Sequence, residues 1–346
     1  MSRSRFLIER FDPATARSDA MRGYHALSNR IRAEWWPEYP PRSLPVLRTI
    51  LTSVPPVWGV RWWVAWRNGQ VAGGAELELS QTQENRHLGW CDVYVHPDYR
   101  RQGIGTALLR TVAEVARGDD RRLLTLGTAT TVPAGEAFAC RLGATPGLTQ
   151  NINQLRISDV DPALLQTWQR RAPEDEFRLG FWEGPYPEAD LADVVQMHEV
   201  MNTAPRGSLD MEDFHWTPQL IRDQEEASRK RGVERWTIYA RHLPTGRIAG
   251  FTEVGWDRNE PEILHQWGTG VFPEFRNHGL GRWLKAAMLE VVLARRPEVK
   301  FVSTGNANSN AAMLKINHEL GFRLYNTITL WQVPAEQALA HVAASG

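Results

Sequence analysis

Cysteine is nearly missing from this 346-residue chain: Cys91 and Cys140 are the two it has. They build no disulfide framework and have no metal-ligand spacing, so no metal is expected and both read as buried free thiols. No run of 18 apolar residues occurs, which excludes a hydrophobic membrane-spanning helix. Met1-Ser2-Arg3-Ser4-Arg5 is not followed by an apolar stretch of the kind a secretory signal carries, and a cytoplasmic location is expected. Net charge is lacking too. Forty basic residues balance forty acidic ones, which argues against a nucleic-acid or anionic-membrane partner. Lysine is scarce, with only Lys230, Lys285, Lys300 and Lys315 against 36 arginines. An arginine excess suits phosphate recognition, but the codon usage of a GC-rich genome produces the same bias.

Hydrophobic content of 42% and charged content of 23% are those of a globular protein, and the length suits two domains of ordinary size. Tryptophan is abundant, at 15 residues. Trp63, Trp236 and Trp267 lie in strand-like stretches and are expected in cores. Trp35-Trp36, in a Pro-rich stretch, is the better candidate for an aromatic groove.

One pattern occurs twice. Val93-Tyr94-Val95-His96-Pro97-Asp98-Tyr99-Arg100-Arg101-Gln102-Gly103-Ile104-Gly105-Thr106 has its counterpart 176 positions on, in Thr269-Gly270-Val271-Phe272-Pro273-Glu274-Phe275-Arg276-Asn277-His278-Gly279-Leu280-Gly281-Arg282. Each copy reads as a strand, a tight glycine loop and the first turn of an amphipathic helix. Other landmarks keep the offset within two residues: Ala72-Gly73 with Ala249-Gly250, and Leu142-Gly143 with Leu320-Gly321. The chain is an internal duplication.

Glycine at the third and fifth positions after the arginine lets a bulky anion approach the backbone and permits positive φ. The exposed N–H groups of a helix start add favourable potential for negative charge. Arg100 and Arg276 are placed to add charge-assisted hydrogen bonds. A dinucleotide fingerprint needs a third glycine where Leu108 and Leu284 stand, and a Walker loop needs a Gly-Lys-Ser/Thr that neither copy has. Two sites for phosphate-bearing ligands are the expectation.

With the motif, the strand before it and the repeat in view, each half resembles an acyltransferase domain of the GNAT superfamily, whose signature is [QR]-x-x-G-x-[GA]. The pair resembles actinobacterial tandem GNAT proteins. The resemblance implies an α/β (α+β) fold of two tandem domains, each a mixed, mostly antiparallel sheet flanked by helices. Domain boundaries are expected at 1–160 and 177–346, with a linker helix in 161–176.

The resemblance also implies the site. Acetyl-CoA is the implied co-substrate. Its pyrophosphate is expected on the loops Arg100, Arg101, Gln102, Gly103, Ile104, Gly105 and Thr106, and Arg276, Asn277, His278, Gly279, Leu280, Gly281 and Arg282. Its pantetheine arm would run along Val93, Tyr94 and Val95, and Thr269, Gly270 and Val271. Asn310 stands where a family Asn contacts the cofactor, and Val132 replaces it in the first half. The usual acid, a Tyr four residues before the Gly that closes the last helix, is replaced by Ala139 and Asn317. A family carboxylate base corresponds to His265 or Gly89, with Glu253 a second candidate base. His265 also reads as a buried, hydrogen-bonded residue with no catalytic task, and Thr252 and Val254 beside Glu253 leave the direction of its side chain open. Glu76 and Glu78 share one strand face and offer similar groups in the first half.

The expected reaction is transfer of acetyl to a primary amine of a small molecule, by direct attack in a ternary complex, with the chemistry in the C-terminal half. Asp210 and Glu212 are expected near the acceptor. The alternatives are acetylation of a protein or peptide N-terminus, and a degenerate acyl-CoA sensor or scaffold. A monomer or homodimer is expected.

Overall fold

The structure is a computed structural model that describes residues 6–344; the N-terminal stretch Met1 to Arg5 lies outside it. In chain order the elements are β1 (Leu7–Phe11), α1 (Ser18–Trp35), α2 (Leu44–Thr52), β2 (Trp58–Arg67), β3 (Gln70–Ser80), β4 (Leu88–Val95), α3 (Ile104–Gly118), β5 (Leu123–Ala129) and α4 (Pro133–Arg141). Next come β6 (Thr145–Arg156), α5 (Pro162–Arg170), β7 (Phe177–Glu183), α6 (Leu191–His198), α7 (Pro218–Arg231), β8 (Val233–His242) and β9 (Ile248–Asp257). The chain finishes with β10 (Ile263–Val271), α8 (Leu280–Arg295), β11 (Phe301–Ala307), α9 (Ala311–Leu320), β12 (Arg323–Pro334) and α10 (Ala335–Ala344).

These elements form two compact units that do not follow the boundary expected at 160 and 177. Among the described residues, unit 1 comprises 6–149, 206–212 and 327–344; unit 2 comprises 150–205 and 213–326. The terminal strands are exchanged. In unit 1 the antiparallel partner of β5 is β12, from Ile328 opposite Ala129 to Pro334 opposite Leu123. In unit 2 the partner of β11 is β6, from Gln150 opposite Ala307 to Arg156 opposite Phe301. Duplication explains why this was invisible: two strands of similar alternation compete for two similar edges, and register is set by pairing rather than by local pattern. The expected linker is also part of unit 2. Asp161 caps α5 through the Ala163 N–H at 2.9 Å, and Leu165 and Trp168 are buried in the core against α8.

The sheet of unit 1 runs β1-β2-β3-β4-β5-β12, all antiparallel except β4 with β5. Asn68 and Gly69, both at positive φ, make the two-residue turn between β2 and β3 that their types suggested. One sheet face packs on α3 and α10 through Leu77, Leu108, Val112, Trp331 and Ala338; α1 and α2 add Met21, Tyr24, Leu27 and Leu47. Unit 2 repeats the plan as β6-β11-β10-β9-β8-β7, parallel only between β10 and β11. Its core joins Leu165, Trp236, Leu264, Leu284 and Phe322.

Two expectations about side chains fail. Cys140 is exposed, whereas Cys91 is buried and desolvation raises its thiol far above the ordinary range. Trp267 is 40% exposed, because the bulge in β10 turns its ring outward from the strand.

Candidate functional site

The two glycine loops have the same backbone. Arg101 and Gly103 sit at φ 63° and 85°, and Asn277 and Gly279 at 67° and 80°. Gly103 and Gly279 are the N-caps of α3 and α8, and neither helix has a side chain capping its first N–H groups. Those donors are left facing the loop, as an anion site requires. Gly105 and Gly281 are helical instead; a Cβ at Gly105 would make an ordinary contact with Val95 at 3.4 Å, and one at Gly281 would crowd Ile316 at 3.1 Å.

The loop arginines are held by bonds within the protein. The Arg100 Nε donates to the Val95 carbonyl at 3.1 Å, and the Arg276 Nε to the Val271 carbonyl at 3.1 Å. Arg100 also forms a two-pronged pair with Glu34 of α1, and Arg276 bonds the Thr203 hydroxyl at 2.9 Å. Each guanidinium thus ties the loop to the end of its strand. Gln102 bonds the Asp98 carbonyl, His278 lies by Glu176 and Phe177, and Arg282 grips Glu319 with two bonds of 2.8 and 2.9 Å. Ile104 and Leu280 are core residues, and Thr106 lines the groove of unit 1. Asn310 caps α9 through the Met313 N–H at 3.2 Å while also lining the groove of unit 2.

The strands before the loops splay. β4 pairs with β5 only from Leu88 to Trp90, and β10 with β11 only from Ile263 to Gln266. Beyond these points Val93 to Val95 and Leu126 to Ala129 diverge in unit 1, and Thr269 to Val271 and Gly305 to Ala307 in unit 2. In each case the wedge between them lines a groove that reaches the glycine loop. An extended ligand can pair with the open strand edge as an added strand would.

The units differ on the opposite face of that wedge. Unit 1 has a cavity of about 450 Å³ between α1, α2 and the strands. Its roof is Leu27, Ile31, Trp35, Trp36, Leu47 and Ile50. The Pro-rich stretch bearing Trp36 is fixed to α1 because Asn29 exchanges hydrogen bonds with the Arg42 backbone at 2.9 Å each way. The floor is acidic. Glu76, Glu78 and Asp92 share one face because β3 and β4 pair without a bulge, Glu76 opposite Asp92 and Glu78 opposite Trp90. This cavity and the groove share Ile31, Trp35, Cys91, Asp92, Tyr94 and Gly127. Desolvation raises the Asp92 carboxyl above its ordinary range, opposed by a hydrogen bond from the Tyr94 hydroxyl. Tyr94 is itself raised well above its ordinary value, by burial first and then by the charges of Asp92 and Glu76.

In unit 2 the same positions are filled. At the loop offset, Asp92 and Tyr94 correspond to Gly268 and Gly270. A Cβ on Gly270 would meet Val200 at 2.5 Å, and one on Gly268 would meet Phe251 at 3.1 Å and Met201 at 3.4 Å. The Trp267 ring covers Gly255, the counterpart of Glu78. Glu253, the counterpart of Glu76, is locked in the core: its Oε2 accepts from Tyr186 at 2.5 Å and Thr237 at 3.0 Å, with Arg235 at 3.9 Å. Burial also holds His198, in the same cluster, below the ordinary histidine range. His265, half-buried on β10 opposite Gly255 and Ser303, is absent from the lining of this groove, as is Glu253.

Asp210 and Glu212 belong to unit 1. Asp210 pairs with His87 and Arg122 at 3.1 Å each, and Glu212 accepts the Asn85 N–H at 2.6 Å. Sequence reasoning missed Asp92. Its signal was a carboxylate inside the apolar strand Trp90-Cys91-Asp92-Val93-Tyr94-Val95, on the same pleat face as Glu76 and Glu78.

Comparison with known proteins places this geometry. The profile described as the acetyltransferase (GNAT) family matches residues 25–144 and again 194–322. The mycothiol acetyltransferase of Salinispora arenicola is 27% identical over 77% of this chain and 78% of its own. That of Nocardia farcinica is 28% identical over 71% and 74%. A solved tandem GNAT protein from the clavulanic acid biosynthesis pathway is 27% identical, with a TM-score of 0.79 over 96% of this chain and 99% of that one. A GCN5-related N-acetyltransferase from Sphaerobacter thermophilus, 14% identical, shares the fold with a TM-score of 0.68 over 95% of this chain. No helix among the described residues is long and apolar enough to cross a membrane.

Proposed function

The chain belongs to the acetyltransferase (GNAT) family, and from that premise we propose that it moves acetyl from acetyl-CoA to a primary amine of a small molecule, with the chemistry in unit 1. This reverses the half expected from sequence. The observation that carries it is the sharing of Asp92 and Tyr94 by the acidic cavity and the groove, so that an amine and a thioester meet at one pair of side chains.

Glu76, Glu78 and Asp92 attract a cationic amine, while Trp35, Trp36, Ile31 and Leu47 cover its apolar remainder. Attack requires the free amine. A carboxyl whose affinity for protons is raised by burial, as that of Asp92 is, takes the ammonium proton more readily than a solvated one. Tyr94 orients it. The open edge of β4 beyond Trp90 supplies backbone donors for the thioester carbonyl. The second proton, released as the amide forms, neutralises the thiolate. No tyrosine at position 139 is needed, because Ala139 is buried in the core and a thiolate is a good leaving group. Attack is direct: the buried Cys91 thiol, held protonated, is no nucleophile.

Unit 2 suits a second role, binding acyl-CoA without an acceptor, as a sensor or scaffold module. Its loop and wedge match those of unit 1, while Gly268, Gly270 and the locked Glu253 stand where unit 1 has its acidic floor.

Two blocking variants test the assignment. Gly105→Tyr fills the groove of unit 1 and Gly281→Tyr that of unit 2. Thiol release over a panel of small amines is expected to fall to background in the first and persist in the second. Turnover lost with Gly281→Tyr and kept with Gly105→Tyr would put the chemistry in unit 2.

A further inference from the structure

Lysine is rare in this chain, and one of the four is inside it. Lys285 of α8 is 2% exposed and lines the groove of unit 2. Among the described residues its amine has no hydrogen bond or ion pair, and the nearest aromatic face is Phe322, with Nζ 5.4 Å from the ring centroid. The others are ordinary surface lysines: Lys230 lies by Glu226, Lys300 by Glu262, and Lys315 is exposed at the rim of the same groove.

A buried, unpaired amine is costly to keep, and burial charges the core a desolvation penalty that pairing usually offsets. At the loop offset the position corresponds to Leu109, a buried core residue of unit 1. The polar substitution is not isolated. Asn306 of the groove wall accepts from Asn317 Nδ2 at 2.7 Å, and the Asn317 Oδ1 is buried with no partner. Asn317 corresponds to buried Ala139. Unit 2 has therefore placed an amine in the groove wall and, behind the wall residue Asn306, a buried acceptor without a partner, in positions that unit 1 leaves apolar.

We propose that Lys285 is an acylation site of this protein, modified by the acyl-CoA that unit 2 binds. The inference rests on the reading of unit 2 as a donor-binding module. The Lys285 Nζ lone pair attacks the thioester carbonyl carbon; the N–C bond forms and the C–S bond breaks. The proton lost by the nitrogen goes to the thiolate, so the products are an acyl-lysine amide and CoA thiol. Both reactants are at hand: the amine is in the groove wall and the donor is that of the family. Burial holds this ammonium at a pKa of about 7, so near neutral pH about half of it is the free nucleophile. A solvated lysine, near 10.4, is uncharged only to about four parts in ten thousand there. Desolvation is the whole cause. The other charged groups of this groove are Arg276, held at Thr203 and the Val271 carbonyl, Arg282, paired with Glu319, and Lys315. Acylation replaces the titrating amine by a neutral amide and adds bulk to the groove, so donor affinity in unit 2 falls with it.

The test uses the full chain, acetyl-CoA and no acceptor. Binding is measured by calorimetry on the Gly105→Tyr variant, where only the groove of unit 2 is open. Modification is read by peptide mass spectrometry at all four lysines, with acetyl phosphate and heat-unfolded protein as chemical controls. The expected result is acetylation of Lys285 at least tenfold above Lys230, Lys300 and Lys315, with an apparent pKa near 7. It is suppressed by desulfo-CoA. Binding in unit 2 with Lys285 unmodified overturns the proposal and leaves the donor-binding reading intact. Labelling of Lys285 no faster than the surface lysines, or equal labelling by acetyl phosphate, also overturns it. No binding in unit 2 overturns both.

Discussion

Asp92 on β4 and Glu76 on β3 are direct cross-strand partners, and the Tyr94 hydroxyl donates to Asp92 from two residues along the same strand. Burial under a roof of aliphatic and indole side chains raises the Asp92 carboxyl, so a cationic amine drawn to this floor meets a group ready to take its proton.

Asp92→Asn keeps the shape and removes the proton acceptor. Turnover is expected to fall by about 10²–10⁴. In the native protein kcat/KM rises with pH through the elevated Asp92 value, and this limb is absent from the variant's profile. Stability moves the other way. A carboxyl raised by folding holds more protons folded than unfolded, so stability is lost as pH climbs from the unfolded value through the folded one. At neutral pH Asp92→Asn is therefore expected to be the more stable, read as a higher Tm than that of the native protein. A less stable, fully active variant would remove Asp92 from the mechanism.

Glu253→Ala tests the counterpart residue. Its loss leaves the Tyr186 and Thr237 hydroxyls with only each other, and takes from Arg235 one of its two carboxylate neighbours. Breaking such a buried hub costs about 3 kcal/mol. Denaturant titration should show this loss, while the folded enzyme keeps its turnover per molecule. A kcat deficit without destabilisation would restore Glu253 to catalysis.

Lys285 predicts a pH dependence of stability opposite to that of Asp92. Its folded value, about 7, lies below its unfolded one, so the unfolded chain binds more protons between the two. Stability therefore rises with pH above 7, by up to about 1.4 kcal/mol per unit from this group. Lys285→Met should be the more stable at neutral pH and should lack that slope. Thermal unfolding of both proteins from pH 6.5 to 9.5 measures it.

The exchanged strands predict how fragments behave. A fragment of residues 1–160 lacks β12 and α10, which supply Trp331, Val333, Ala338 and Val342 to the core of unit 1. It should show no cooperative unfolding transition. In the full chain Trp331→Ala costs about 3–5 kcal/mol, because it opens that core and leaves the Thr128 hydroxyl without its indole donor. Cooperative melting of the fragment at the full-length Tm would show that β12 is dispensable to unit 1.

Much of the architecture was legible in the chain. Asn68-Gly69, Gly103, Gly279 and the Asp161-Pro162 start are local signals, since each is a residue whose backbone preference nearly dictates its conformation. The offset between copies carried the duplication, and with it the paired loops and wedges. The alternation that puts Glu76 and Glu78 on one face was legible as well. Asp92 was overlooked because a lone acid in an apolar strand has no periodicity of its own.

Three matters belonged to tertiary structure. Arg100 and Arg276 match the motif, yet only the positions of Glu34, Thr203 and the strand-end carbonyls make them ties. Glu76 and Glu253 occupy one strand position, yet only the packing of Val200, Phe251 and Tyr186 closes one and leaves the other open. The partners of β6 and β12 follow from which edge each strand reaches. Short-range sterics and hydrogen bonding act between neighbours in sequence, so loops, turns and the repeat were determined by the chain itself. Cavities and strand partners depend on atoms far apart in sequence filling the same space, and only the fold decides which do.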